Sequence, residues 1–458
     1  MSKTASQTAL SRRKVLRAGV GTLAGFGIGG ALAGCQDLED RLTGKSARLQ
    51  GQRYTILDSD SAISAKGTAA ANKTIVLGRP FANPSWTHQG IDASQSITHL
   101  ALNDQTTLAW SQSMGRAGGS RAKMMTRALI VGSAVYTMDA TGSLSALRLQ
   151  DGSVYWRQSL KPNKDKGNFG GGLAYDQGKL FVTNGTAYLL ALDAQTGQII
   201  WTASLKGLAR FGAVAAQQRV FVCTMNNFCQ TFDQETGALI WEDQGDSSNT
   251  RRIGGSGAAY ADGTLYVAHG SGELRAFEAS SGRIKWDEVL LPFGARTDVL
   301  SSIPDPGTAP VVDRGIVFLT SGAGRTAAFN TINGRLVWEN GQGGRSQPVF
   351  TPSHMFLITN RSQLVAIDRL NGKFVWQRKL PEKVSLRRRA GFIQWLGPIL
   401  ANGRVFIFGS NGVMVSFNAL DGKYIAQTDL GHPIVVEPSL AQKTLFLQTD
   451  DGRIHAYR

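Results

Sequence analysis

Residues 271–286 read SGELRAFEASSGRIKW, and with small variations this phrase recurs along the chain. A polar turn leads into a strand ending in a small, an apolar and a polar residue, Ala276-Phe277-Glu278, after which Gly282 and Trp286 follow four positions apart. The centre of the phrase returns as SALR (145–148), LALD (190–193), QTFD (230–233), AAFN (327–330), VAID (365–368), VSFN (415–418) and HAYR (455–458). Its small residue recurs every 38 to 52 positions, as in Ala146, Ala191, Thr231 and Ala276. A strand paired on both sides and pressed against a neighbouring sheet has room there for only a methyl or hydroxyl group. A period of this length is that of one four-stranded antiparallel blade.

The offset from glycine to tryptophan recurs in Gly152/Trp156, Gly197/Trp201, Gly237/Trp241, Gly282/Trp286, Gly334/Trp338 and Gly372/Trp376. Glycine suits a tight turn that needs positive φ, and the indole four residues on can lay a large apolar face between adjacent blades. The seventh phrase departs from this, with Gly422 followed by Ala426, so its junction should be packed less heavily. The eighth phrase stops at Arg458 with no outer strand of its own. The orphan segment TTLAWSQS (106–113), with Trp110 one period ahead of Trp156, reads as the missing strand, because an open ring would leave unpaired edges. The expectation is an all-β fold, an eight-bladed β-propeller closed by its N- and C-terminal segments, with seven blades as the alternative. The 54 glycines among 458 residues suit such a turn-rich chain, and no long 3.6-residue stripe appears beyond the first 34 residues.

That first stretch carries Lys3, Arg12, Arg13, Lys14 and Arg17, then VGTLAGFGIGGALAG, then Cys35. A basic start, an apolar middle and a small-residue end make an export signal, too short and glycine-rich for a comfortable membrane span. Leu32-Ala33-Gly34-Cys35 resembles a lipoprotein box, and SRRKVLR (11–17) resembles a twin-arginine signal with Val15 where Phe is usual. The organisation expected is a signal over 1–34, a lipidated Cys35 with a flexible tether over 35–85, and the propeller over 86–458. Residues 75–86 could lie against the ring. Formal net charge is +16, falling to about +11 once the five signal cations are removed. No nucleic-acid motif accompanies this charge, so nucleic acid is not an expected partner.

Two further cysteines stand in VFVCTMNNFCQTF, at Cys223 and Cys229. A hairpin turning at Asn226-Asn227 pairs 224 with 229 and 223 with 230, which leaves the thiols diagonal. An oxidising compartment permits a disulfide between them, and two buried thiols are the alternative.

The Trp-punctuated repeat resembles that of the quinoprotein dehydrogenases, which hold pyrroloquinoline quinone and calcium at the ring centre. Such chemistry needs an oxygen-ligand cage and a carboxylate base. This chain has no adjacent cysteines, no CxxCH haem attachment and no cap-like insertion, and its six histidines are scattered without HExxH spacing. No catalytic residue, cofactor or metal ligand is therefore expected, and an interaction scaffold is the favoured class.

With signal, tether and repeat taken together, the chain resembles the BamB family, lipoproteins of outer-membrane β-barrel assembly. The phrases carrying the likeness are VYTMDATGSLSALR (135–148), FGGGLAYDQGKLFVTNG (169–185), SGELRAFEASSGRIKW (271–286) and WLGPILANGRVFIFGSNG (395–412). The resemblance implies a lipid-anchored protein at the periplasmic face of the outer membrane. It implies docking on the periplasmic domains of the central β-barrel assembly subunit, with unfolded outer-membrane proteins as further partners. Family docking loops correspond to SSNTRRIGGSGA (247–258), where Arg251 and Arg252 supply positive charge, and to RTDVLSSIPDPGTAP (296–310). In the second loop Asp305 matches a family acid and Gly307 replaces another, while Leu300 and Ile303 could supply an apolar centre. Arg387-Arg388-Arg389, ahead of Trp395, form a third basic cluster able to face the same partner or lipid headgroups.

The anchor is open to direct measurement. Intact mass of the native protein should give a chain beginning at acylated Cys35, and Cys35→Ala should abolish the acyl mass. An unmodified Cys35 in the native protein would refute the anchor.

Overall fold

The computed structural model describes residues 74–103, 106–119, 124–160, 171–209, 211–246, 257–290, 306–322, 324–384 and 391–458. Their strands form eight four-stranded antiparallel sheets, the blades of a propeller. From innermost to outermost strand, the first blade runs from Leu129–Val131 to Val154–Ser159, and the second from Gly172–Asp176 to Ile199–Ser204. The third runs from Val214–Ala216 to Leu239–Gln244, and the fourth from Gly257–Ala261 to Ile284–Val289. The fifth runs from Val311–Asp313 to Leu336–Asn340, the sixth from Val349–Phe350 to Phe374–Lys379, and the seventh from Trp395–Ala401 to Tyr424–Asp429. The eighth takes Ser439–Ala441, Thr444–Gln448 and Arg453–Tyr457 from the C-terminus and Leu108–Ser113 from the other end, with Trp110 opposite Ala456. The ring thus closes through the strand that sequence assigns to it.

The glycine–tryptophan phrase is a relay between blades. The glycines Gly152, Gly197, Gly237, Gly282, Gly334, Gly372 and Gly422 have φ of +67° to +75°. A Cβ on any of them would come under 3.0 Å from an indole of the preceding blade: Trp110 at Gly152, Trp156 at Gly197, and so on to Trp376 at Gly422. Each of these indoles also donates from Nε1 to a backbone oxygen near that glycine, from Trp110 to Leu149 O at 2.9 Å through Trp376 to Ala419 O at 3.1 Å. Trp110, Trp286, Trp338 and Trp376 are thereby buried, and Trp156, Trp201 and Trp241 half-buried, each with its polar atom satisfied. The junction between the seventh and eighth blades lacks the device, and Tyr424–Asp429 is exposed along its whole length.

The cysteine hairpin departs from its sequence reading by one residue. Thr224 N donates to Phe228 O (2.8 Å) and Asn227 takes φ +59°, so the loop is Met225-Asn226-Asn227 and Cys223 lies directly opposite Cys229. A third loop residue in the left-handed region matches the twist of the flanking strands. Both cysteines are buried and free.

Residues 83–102, which belong to no blade, lie across the ends of all eight innermost strands. Taken in chain order from Trp86, their partners follow the ring. Trp86 and Ile130 exchange two backbone bonds in the first blade, and Thr87 O accepts from Tyr175 N in the second. Nε2 of His88 accepts from Ala215 N (3.1 Å) in the third, and the carbonyls of Ala93, Ser94 and Ile97 accept from Tyr260, Val312 and Phe350 in the next three. Leu100 N donates to Leu400 O in the seventh blade, and Asn83 O accepts from Gln442 N in the eighth. Residues ahead of this segment also touch the ring, with Ile75 buried and Val76 N bonded to Ser353 Oγ (2.9 Å).

Removing one relay side chain should be costly. Trp338 is 7% exposed, so Trp338→Ala should lose about 3–5 kcal/mol in denaturant unfolding. Tyr424→Ala, at the bare junction, should lose under about 1 kcal/mol. Equal losses would remove the relay as the main inter-blade bond.

Candidate functional site

The ring centre is filled by the chain itself. The guanidinium of Arg127, 2% exposed, leads into the first blade; it pairs with Glu437 of the eighth and donates to Gln89 O at 2.7 Å. Glu437 also accepts from the amide of Gln347, which leads into the sixth blade and donates from Nε2 to Gln95 O at 2.7 Å. Groups of the first, sixth and eighth blades thus meet through Glu437. Arg127 further stacks its guanidinium 5.5 Å from the Trp86 ring. The carboxylate that could have begun an oxygen cage is thus committed to a buried cation, and the crossing segment supplies backbone oxygens of Gln89 and Gln95 to the same cluster. These residues do not fit a calcium–quinone site. Among the described residues, the one group of three or more potential ligands close enough for an ion is His432, Asp450 and Asp451, exposed on the eighth blade.

His88, buried beside this centre, is held neutral. Its Nδ1 faces Thr87 Oγ1 at 2.9 Å while Nε2 accepts from Ala215 N. Burial lowers its pKa to about 4 against the opposing pull of Asp92.

The residues expected to bind a partner, Arg251, Arg252, Leu300, Ile303 and Asp305, lie outside the described residues, as do Arg387 to Arg389 and Cys35. What is described is the ground from which the two loops spring. The first loop follows Asp246, whose amide faces the Glu273 carboxylate and whose carbonyl accepts from Asn227 Nδ2 (2.6 Å). The second follows Leu290, whose amide donates to Gly272 O (2.7 Å), and its far end returns through Gly307 N to Thr320 O (2.8 Å). Both therefore leave from either side of one turn, His269–Gly272, between the second and third strands of the fourth blade.

That turn is stiffened by charge. Arg275 spans Asp243 (2.9 Å) and Glu273 (3.2 Å), and Asn227 Oδ1 accepts from Gly270 N at 3.0 Å. Burial raises the Glu273 carboxyl above its usual range, with Arg275 opposing. Burial, then the nearby Arg275 cation, lowers His269 to about 3, so this ring too is neutral. The sequence reading passed over this network. Its one available signal was Glu273 itself, an acid two residues ahead of Arg275 where other phrases begin their strand with Ser143, Tyr188 or Phe228.

A second projection stands ahead of the seventh blade. Lys383 pairs with Phe392 as an antiparallel bridge, and the Lys383 ammonium lies 5.5 Å from the Phe392 ring, which is 76% exposed. It flanks the segment that carries the third basic cluster.

Comparison with known proteins places these features in a lineage. A family profile described as outer membrane protein assembly factor BamB matches residues 140–378, more than half of the chain. The outer membrane protein assembly factor BamB of Yersinia pestis is 23% identical over 77% of this chain and 88% of its own length. That of Escherichia coli K12 is 24% identical over 76% and 88%. An uncharacterized protein of Rickettsia prowazekii is 24% identical over 48% of this chain, and the match spans only about half (54%) of that relative. Among solved structures, BamB from Moraxella catarrhalis superposes with a TM-score of 0.62 at 17% identity, over 77% of this chain and all of that one. A europium-containing methanol dehydrogenase superposes at 0.64 and 15% identity, over 82% and 98%. At such identities the two structures share the fold with this chain, and the likeness goes no further.

The neutral histidines make stability pH-dependent. The unfolded chain takes up a proton near pH 6.5 and the folded His88 only near 4, so stability is full above about 6.5 and declines as pH falls toward 4. At pH 5 the loss due to His88 should be about 2 kcal/mol. His88→Gln should shrink the difference between denaturant unfolding at pH 7.5 and at pH 5.0 by that amount. An unchanged difference would place the acid sensitivity elsewhere.

Proposed function

The chain belongs to the family of the outer membrane protein assembly factor BamB, and from that premise we propose that it is a non-catalytic scaffold for assembling β-barrel proteins in the outer membrane. In this reading it stands at the periplasmic face of that membrane, held by a lipidated Cys35. It docks on the periplasmic domains of the central β-barrel assembly subunit, and unfolded outer-membrane proteins are its further clients. The observation that carries the docking site is the common origin of the two candidate loops beside the His269–Gly272 turn. A rigid base shared by two loops lets a partner engage both at little ordering cost. Arg251 and Arg252 are assigned to pair with carboxylates, Asp305 to accept donors from the partner, and Leu300 with Ile303 to form the apolar centre. The ring centre favours a scaffold over a quinoprotein dehydrogenase, since its carboxylate, Glu437, is committed to Arg127, and the backbone oxygens of Gln89 and Gln95 to the same cluster.

Charge reversal tests the surface. Arg251→Glu with Arg252→Glu should weaken binding to the periplasmic domains of the barrel subunit at least about tenfold at physiological salt, with the unfolding midpoint unchanged. Wild-type affinity with an intact fold would move docking to another part of the ring, the 381–394 projection first.

A further inference from the structure

The third blade carries two thiols at a position where other blades carry ordinary side chains. Because Thr224 N donates to Phe228 O, residues 224 and 228 are the hydrogen-bonded pair nearest the turn. Cys223 and Cys229 are the next pair along, which is not hydrogen-bonded. Opposing Cα atoms come closest at such pairs, about 4.5 Å apart, and the side chains project on the same face. That separation lies inside the range a disulfide spans, about 4.4–6.8 Å. Corresponding pairs elsewhere are Met138 with Leu144, Ala268 with Leu274 and Ile358 with Leu364. The chain's third cysteine, Cys35, is far away in sequence, so these two are each other's natural partners.

The turn closed by this pair also supports the neighbouring blade. Its Asn227, buried and left-handed, donates to Asp246 O and Ser271 Oγ, accepts from Gly270 N, and offers its own carbonyl to Gly245 N.

We propose that Cys223 and Cys229 are joined by a disulfide in the mature protein, and that this bond fixes the Asn227 turn beneath the stem of the first candidate docking loop. The oxidising compartment is supplied by the export that the proposed function entails, and on that point the inference rests on it. The oxidant is a reactive disulfide, on a protein or on glutathione. The Cys223 thiolate attacks one of its sulfurs and expels a thiolate, giving a mixed disulfide. The Cys229 thiolate then attacks Cys223 Sγ and expels the second. The two protons given up by the cysteines end on the two expelled thiolates, so the oxidant leaves as two thiols carrying the two electrons and no proton is released overall. The hydrogen bond with Cys223, then burial, holds the Cys229 thiol well above its usual pKa, so the second step belongs to the open hairpin during folding.

The tryptic peptide 220–251 contains both cysteines and no other. Full-length protein taken from cell fractions, denatured and alkylated without reductant, should give this peptide unalkylated and about 2 Da lighter than its dithiol form. Prior reduction should give two alkyl groups. Alkylation of both cysteines without reductant, in protein from the cell envelope, overturns the proposal. Protein found only in the cytosol overturns the export reading instead, and refolding then decides the bond. Reduced, denatured chain refolded in a mixed oxidised and reduced glutathione buffer should regain the lighter peptide, and a persistent dithiol or a glutathione adduct overturns the proposal. Reduction of the folded protein should speed amide exchange at Gly245 and Gly270 several-fold in wild type and leave the doubly substituted C223A/C229A unmoved. Equal exchange with and without reductant would refute the support of the loop stem.

Discussion

The contact on which the ring depends is an indole lying on a glycine. A sheet left alone exposes both faces, and eight sheets set radially must each press one face against the next without leaving gaps. At seven junctions the problem is solved by the same pair. The glycine is needed twice over, for its positive φ and because a Cβ would strike the incoming ring. The tryptophan is needed for its area and for an N–H able to reach the backbone oxygen beyond that glycine. Since each blade offers a glycine to the blade before it and a tryptophan to the blade after it, the repeat is held to one handed sequence of contacts. The exposed outer strand of the seventh blade marks the single place where the rule lapses.

A ring built this way has a centre that must be filled by something. In this chain the filling is covalently part of the protein. Gln89, Gln95, Arg127, Gln347 and Glu437 are tied to one another there, while Gln89 Nε2 and Arg127 Nε remain buried without a hydrogen-bond partner. At the rim, by contrast, the His269–Gly272 turn is braced by the charges of Arg275, Asp243 and Glu273.

The blades were legible because their signals are local. A period near 40 to 50, the glycine–tryptophan offset and the leftover strand around Trp110 each sit within a few residues of sequence, and ring closure follows from counting strands. The segment SWTHQGIDASQSITHL (85–100) was not legible in the same way. Its partners lie on seven blades, so its side chains alternate with no period, and only the assembled ring explains why Trp86, Ile97 and Leu100 are fully buried. The Arg127–Glu437 pair was hidden for the same reason, being joined across 310 residues. The cysteine register failed by one position because a two-residue and a three-residue loop are equally compatible with Met225-Asn226-Asn227 until the backbone of Asn227 is seen.

The crossing segment also has a chronology. Residues 83–102 leave the ribosome before any of the innermost strands they will bind, and from Trp86 onward their partners are synthesised in the order in which they are met, Ile130 first and Leu400 late. Asn83 is the exception: the earliest-made residue of the cord waits for Gln442 of the latest-made blade. The knot that ties the cord therefore waits for Gln442, and the early strand Leu108–Ser113 waits longer still, for Arg453–Tyr457, before the ring can shut.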